Sequence, residues 1–127
     1  MTQTIVFAML RRSVAQGLIA KINDATDSIR AIYESDYDKA VSAASASSAD
    51  AVVIEITEFG GYDTDYCLEL CDHIKIETPG CRLLLICPEQ NEESVSTVGE
   101  AKLSGRIDDF LFYSSTTDYL LSKLLAT

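Results

Sequence analysis

Five stretches of the chain are dense in large apolar residues: TIVFAML (4–10), DSIRAIYES (27–35), DAVVIEI (50–56), CRLLLIC (81–87) and DFLFY (109–113). Three of them are nearly continuous runs of Val, Ile, Leu and Phe, the pattern of strands covered on both faces and hence parallel. DSIRAIYES is interrupted by Ser28 and Arg30, which predicts a half-exposed edge strand. Segments of helical length lie between these stretches. From Ser13 to about Asp24, Val14, Leu18, Ile19 and Ile22 recur at helical spacing. Ser35 and Asp38 form a capping box ahead of KAVSAASASSA, whose small residues suit a helix lying close to a sheet. Asp63 caps DYCLELCDHIKI, which TPG (78–80) terminates. A more polar helix is expected over 92–103, and Ser115 with Asp118 opens DYLLSKLLA.

The order is strand–helix repeated five times with short connections, so right-handed crossovers set helices on both sides of a parallel sheet. This is an α/β, doubly wound, five-stranded chain. With 127 residues and no Pro-rich linker or internal repeat, one domain over 1–127 is expected.

Composition narrows the function. Ten Lys+Arg against twenty Asp+Glu give a formal charge of −10. So negative a surface repels phosphate backbones and anionic lipid heads, and neither direct nucleic-acid nor membrane binding is expected. The apolar runs are far shorter than the ~20 residues of a membrane span. No basic segment leads into an apolar one at the start, so a cytoplasmic location is expected. Cys67, Cys71, Cys81 and Cys87 show no CxxC pairing and His73 stands alone, so the thiols are read as buried and reduced, with no metal.

Across essentially its whole length the chain resembles the receiver domains of bacterial two-component response regulators. ADAVVIE (49–55) occupies the place of that family's P-D-L-V-L-L-D, and IDDFLFYSS (107–115) is similar to its GA-D-F-L-x-K-P. The resemblance implies a flavodoxin-like (βα)5 fold with strand order 2-1-3-4-5. It also implies a chemistry that the residues depart from. The acidic pair that holds magnesium falls on Met9 and Leu10, and the phospho-accepting aspartate on Glu55. The switch Ser/Thr falls on Cys87, the lysine on Tyr113, the following proline on Ser114, and the loop proline on Phe59. Magnesium needs oxygen ligands, which Met9 and Leu10 do not offer. Without metal and lysine, nothing offsets charge on a phosphoryl group in transit. No phosphotransfer and no cofactor are expected.

Two readings of Glu55 stand side by side: a hydrated surface carboxylate, or a fixed mimic of the phosphorylated state paired with Arg11 or Arg12. Those arginines also open the first helix beside the switch point of the sheet, where a small anion or nucleotide would bind. Phe112 and Tyr113 make two adjacent aromatic positions read as packing. Tyr119, Leu121 and Leu125 on the last helix, with Phe112, offer a partner or homodimer face. No nucleophile elbow or Ser-His-Asp arrangement is present, so enzymatic activity is not expected. The leading expectation is a phosphorylation-independent, receiver-like interaction module acting on a protein partner, as a homodimer, or on an effector domain of a longer chain. The alternative is a small-anion or nucleotide sensor in the cleft near Arg11, Arg12 and Glu55.

Overall fold

Parallel strands cannot be joined by tight turns; each pair needs a crossover, and a helix supplies it at every step. The computed structural model describes residues 2–57, 61–115 and 117–125. Strands β1 (Gln3–Ala8), β2 (Ile29–Glu34), β3 (Ala51–Glu55), β4 (Arg82–Cys87) and β5 (Asp109–Phe112) alternate with helices α1 (Arg12–Ala25), α2 (Ala40–Ser47), α3 (Thr64–Glu77), α4 (Glu92–Leu103) and α5 (Thr117–Leu125). Every pairing is parallel and the order is β2-β1-β3-β4-β5. The doubly wound 2-1-3-4-5 arrangement is the observed one.

Side chains alternate between the two faces of a strand, so each inner strand feeds two cores. On β3, Val52 and Ile54, continued by Ile56, join Tyr37, Ala44, Cys67, Cys71 and Val98 beneath α2, α3 and α4. Ala51 and Val53 join Phe7, Met9, Ile22, Leu120 and Leu124 beneath α1 and α5. Glu55, two residues after Val53, points to the α1/α5 side by the same alternation. The edge strand β2 is mostly half-buried beyond Ile29, as Ser28 and Arg30 predict.

Local details differ from expectation in three places. The capping box at Ser35 and Asp38 does not form. Asp36 instead accepts the Asp38 N–H and starts a short 3-10 turn, Tyr37–Lys39, that precedes α2. Helix α1 begins at Arg12, one residue before Ser13, and its N-cap position, Arg11, supplies no side-chain cap. Ser115 does not cap α5 in the described residues. Its hydroxyl accepts the Phe112 N–H and closes the end of β5. Asp63 caps α3 by accepting the Tyr66 N–H. No helix among the described residues is long and apolar enough to cross a membrane.

Candidate functional site at the strand ends

The carboxylate of Glu55 is fully buried. It is therefore not the hydrated surface acid that its place at a strand end suggests. A charge that deep persists only when paired and hydrogen-bonded, and both oxygens are engaged. Oε1 accepts the backbone N–H of Leu10 (2.9 Å) and of Arg11 (3.3 Å). Oε2 accepts Nε (3.0 Å) and Nη2 (2.8 Å) of Arg11, a forked contact. The Tyr113 hydroxyl lies 2.9 Å from Oε2 and 2.7 Å from the Ile56 carbonyl, with one proton to give to the two. Arg11 also lies over the Tyr113 ring, 4.7 Å from its centroid.

This arrangement solves a local problem of α1. Its N-cap residue is an arginine, which cannot accept a hydrogen bond, and its first turn holds no acid. Glu55 brings a carboxylate from 44 residues away to the N–H groups just before the helix, where the positive end of the helix dipole favours a negative charge. The hydrogen bond that Arg11 donates to Glu55 raises the Arg11 pKa, against burial, which lowers it. Burial, then the Glu55 charge, raises that of Tyr113. Both groups thus keep their protons as donors.

Tyr37 completes the site, and the sequence reading missed it. It is fully buried, its hydroxyl donates to the Glu55 carbonyl at 2.5 Å, and its ring stacks on Tyr62 with centroids 3.9 Å apart. Cys67 also sets its Sγ 3.9 Å from that carbonyl. The missed signal was the tyrosine in SDYDK, the one large ring in a polar stretch that leads into a small-residue helix.

The other predicted positions are distributed as follows. Met9 is buried in the α1/α5 core and Leu10 is 42% exposed. Cys87 is buried at the end of β4, beside Phe112 in register. Arg12 does not reach Glu55; its guanidinium lies 5.6 Å from the Tyr33 ring centroid. The two arginines therefore do not converge on one anion site. Leu121 is buried in the chain's own core, because the α5 row with Leu120 and Leu124 packs on the sheet, and it is not part of an exposed face. Tyr119 and Leu125 are exposed and Phe112 is half-buried. Phe59 lies outside the described residues.

A resident magnesium ion does not fit these residues. Such an ion takes oxygen ligands; Met9 is sequestered among apolar side chains, Leu10 is aliphatic, and the Glu55 oxygens already accept five donors. Among the described residues no group of three or more His, Cys, Asp or Glu is placed to hold a metal. Beside the site opens a cleft of about 630 Å³ lined mainly by Leu10, Val14, Ile56, Pro88, Gln90 and Tyr113.

The four cysteines are free and buried. Burial pushes Cys87 up to about 11 and Cys71 and Cys81 up to about 12, and raises Cys67 as well. A thiol in the unfolded chain titrates near ~8.5. The folded protein then holds protons that the unfolded chain gives up, so stability is complete below that pH and falls as pH rises toward the folded values. Urea unfolding across an alkaline series should show this loss, and a thiol reagent at neutral pH should find the native cysteines unreactive until urea exposes them.

The fold has close counterparts. The chain superposes on a structure from Rhodopirellula baltica described as an adenylate cyclase, with TM-score 0.80 and 16% identity over 99% of this chain and 87% of that one. The isolated REC domain of RcsB from Salmonella enterica serovar Typhimurium gives TM-score 0.75 and 14% identity over 99% and 88%. The signal receiver domain of a histidine kinase from Syntrophus aciditrophicus gives 0.75 and 16% over 97% and 87%. The chain has the fold of a receiver domain. No family model matches the sequence, and no curated protein matches it significantly. The receiver fold thus stands on three-dimensional likeness.

Proposed function

We propose that the chain, as a single receiver-like unit over 1–127, is a phosphorylation-independent signalling module of the two-component type. It acts by docking a protein partner, by self-association, or by positioning an effector domain in a longer chain, without catalysis. The receiver-domain neighbours support the signalling class. The observation that supports phosphorylation independence is the closed carboxylate cage: Glu55, which the resemblance sets at the acceptor position, has both oxygens occupied by Arg11, Tyr113 and two backbone N–H groups.

An acyl phosphate would have to form on an oxygen that already accepts two or three hydrogen bonds. Phosphoryl transfer also needs positive charge where the transferring oxygens develop theirs, and the guanidinium nearest that point is spent on Glu55 itself. Glu55 and Arg11 instead form a permanent internal ion pair, holding the end of β3 against the start of α1 in one arrangement. The anion-sensor reading loses its main donor for the same reason, since Arg11 already has its anion.

The test is direct. Incubated with a small acyl-phosphate donor and magnesium, the protein should keep its unmodified intact mass, and magnesium with beryllofluoride should leave its amide spectrum unchanged. Appearance of a phosphorylated species that Glu55→Gln abolishes would overturn the proposal.

A further inference from the structure

An open sheet has two edges, and the two edges of this one are built differently. Strand β5 is four residues long. Lys102 from α4 and Lys123 from α5 reach over it to the Asp109 carboxylate, at 2.9 and 2.8 Å. Shortness and lysines are common protections of an edge against pairing with another chain. Strand β2 is six residues long, IRAIYE, with no Pro, Gly or Lys.

Register fixes which peptide groups of β2 are turned outward. Gln3 donates its N–H to the Ser28 carbonyl, and Met9 donates to that of Glu34. With Gln3 opposite Ile29 and Ala8 opposite Glu34, the peptide groups of Arg30, Ile32 and Glu34 turn toward β1. Those of Ile29, Ala31 and Tyr33 face the open edge. Side chains follow the other alternation. Ile32 packs on the α2/α3 side of the sheet, and Ala31 and Tyr33 on the α1/α5 side, so Arg30 and Glu34 flank Ile32 on one face. Arg30 is exposed, and its guanidinium has no partner among the described residues. Glu34 accepts the Asp36 N–H through Oε2 at 3.0 Å, which leaves Oε1 open among those residues.

From this we infer that a second copy of the chain pairs with β2 edge to edge, antiparallel, about a twofold axis at Ile32, so that one sheet runs through both copies. Hydrogen bonds across the edge need outward peptide groups on both sides, so odd-numbered positions must face each other. A twofold at Ala31 satisfies this but sets Arg30 against the partner's Ile32. One at Tyr33 sets Ile32 against the partner's Glu34. The twofold at Ile32 alone sets Arg30 opposite the partner's Glu34 and Glu34 opposite the partner's Arg30. It also places the Tyr33 ring beside the partner's Ala31 methyl, and Ile32 against its own counterpart. The Arg30–Glu34 and Ile32–Ile32 positions are non-hydrogen-bonded pairs, whose side chains approach most closely and interact most. An isologous interface requires this self-complementarity; a strand of an unrelated protein has no reason to carry it. The chain charge of −10 opposes approach at long range, but at ~0.15 M salt it is screened beyond ~8 Å. The inference rests on the self-association named in the reading above and gives it a face and a register.

The experiment measures the mass of the full chain by sedimentation at ~0.15 M salt, where a dimer is expected. Arg30→Glu and Glu34→Arg should each weaken it at least about tenfold. An equimolar mixture of the two variants should associate again, because the mixed pair restores both opposite-charge contacts. Amide exchange reads the register: Ala31 and Tyr33 gain protection as concentration rises, while Arg30 and Ile32 are protected at every concentration. Ile32→Cys, at the twofold where facing Cα atoms lie ~4.5 Å apart, should cross-link to itself under mild oxidation; Arg30→Cys should not. The inference is overturned if the chain stays monomeric up to about 1 mM, if the charge variants associate as the parent does, or if their mixture stays apart. It is equally overturned if protection rises on β5 and α5 in place of β2. The phosphodonor assay run on the same sample keeps the two proposals apart. A monomer that takes no phosphoryl group removes this inference and leaves partner docking, and phospho-acceptance removes the reading beneath it.

Discussion

Glu55→Ala should lower the stability of the domain by about 3 kcal/mol, because breaking a buried, hydrogen-bonded pair from one side strands its partners. The groups left behind set the size. Arg11 has half its side chain in solvent and rehydrates at little cost. The Leu10 and Arg11 N–H groups lose their carboxylate acceptor, while Tyr113 keeps the Ile56 carbonyl. At this chain length the loss corresponds to a drop in melting temperature on the order of 10 °C. Glu55→Gln should lose less, since its oxygen still accepts two N–H groups while its amide faces donors where Oε2 stood. A double-mutant cycle with Arg11→Ala should return a coupling on the order of 1 kcal/mol or more, beyond an ordinary surface pair. A Glu55→Ala protein that melts with the parent would show that the cage contributes nothing.

Tyr37→Ala should be of similar or larger effect, about 3–5 kcal/mol, since it empties a fully buried aromatic site and removes the stack on Tyr62. Tyr37→Phe separates packing from hydrogen bonding. It keeps the ring, leaves the Glu55 carbonyl with only the weak Cys67 thiol contact, and should cost about 1–2 kcal/mol. Burial raises the Tyr37 pKa, so the phenol remains a donor throughout the usable pH range. Chemical denaturation of the two variants reads both quantities. Equal losses for Ala and Phe would place the whole effect in the hydroxyl and contradict the packing account.

The architecture was legible because burial on both faces leaves no room for ambiguity: AVVI and LLLI can only be central strands, and the interruptions at Ser28 and Arg30 put β2 at the edge. The site was legible only in its absences, the missing oxygens at Met9 and Leu10. Its positive chemistry was hidden for reasons of register. Whether Arg11 or Arg12 turns inward depends on where α1 starts, and a shift of one residue rotates a helix by about 100°. A glutamate at a strand end reads as hydrated unless its partners are known, and those lie 44 to 58 residues away. Tyr37 was overlooked because it sits among serine and aspartates, where composition suggests a loop. Leu121 was assigned outward because two adjacent leucine rows cannot be told apart until the helix is laid on its sheet.

The burial of Met9 limits what substitution at this site can install. An aspartate at position 55 would not by itself create a cation-binding cradle, since Met9 and Leu10 beside it offer no carboxylate. Introducing an acid at position 9 would strand a charge amid Phe7, Ile86 and Leu111 unless the surrounding hydrocarbon were rebuilt with it. An acid at position 9 alone therefore lowers folding stability, and a protein engineer wishing to install a cation site would need to change both sides of the site at once.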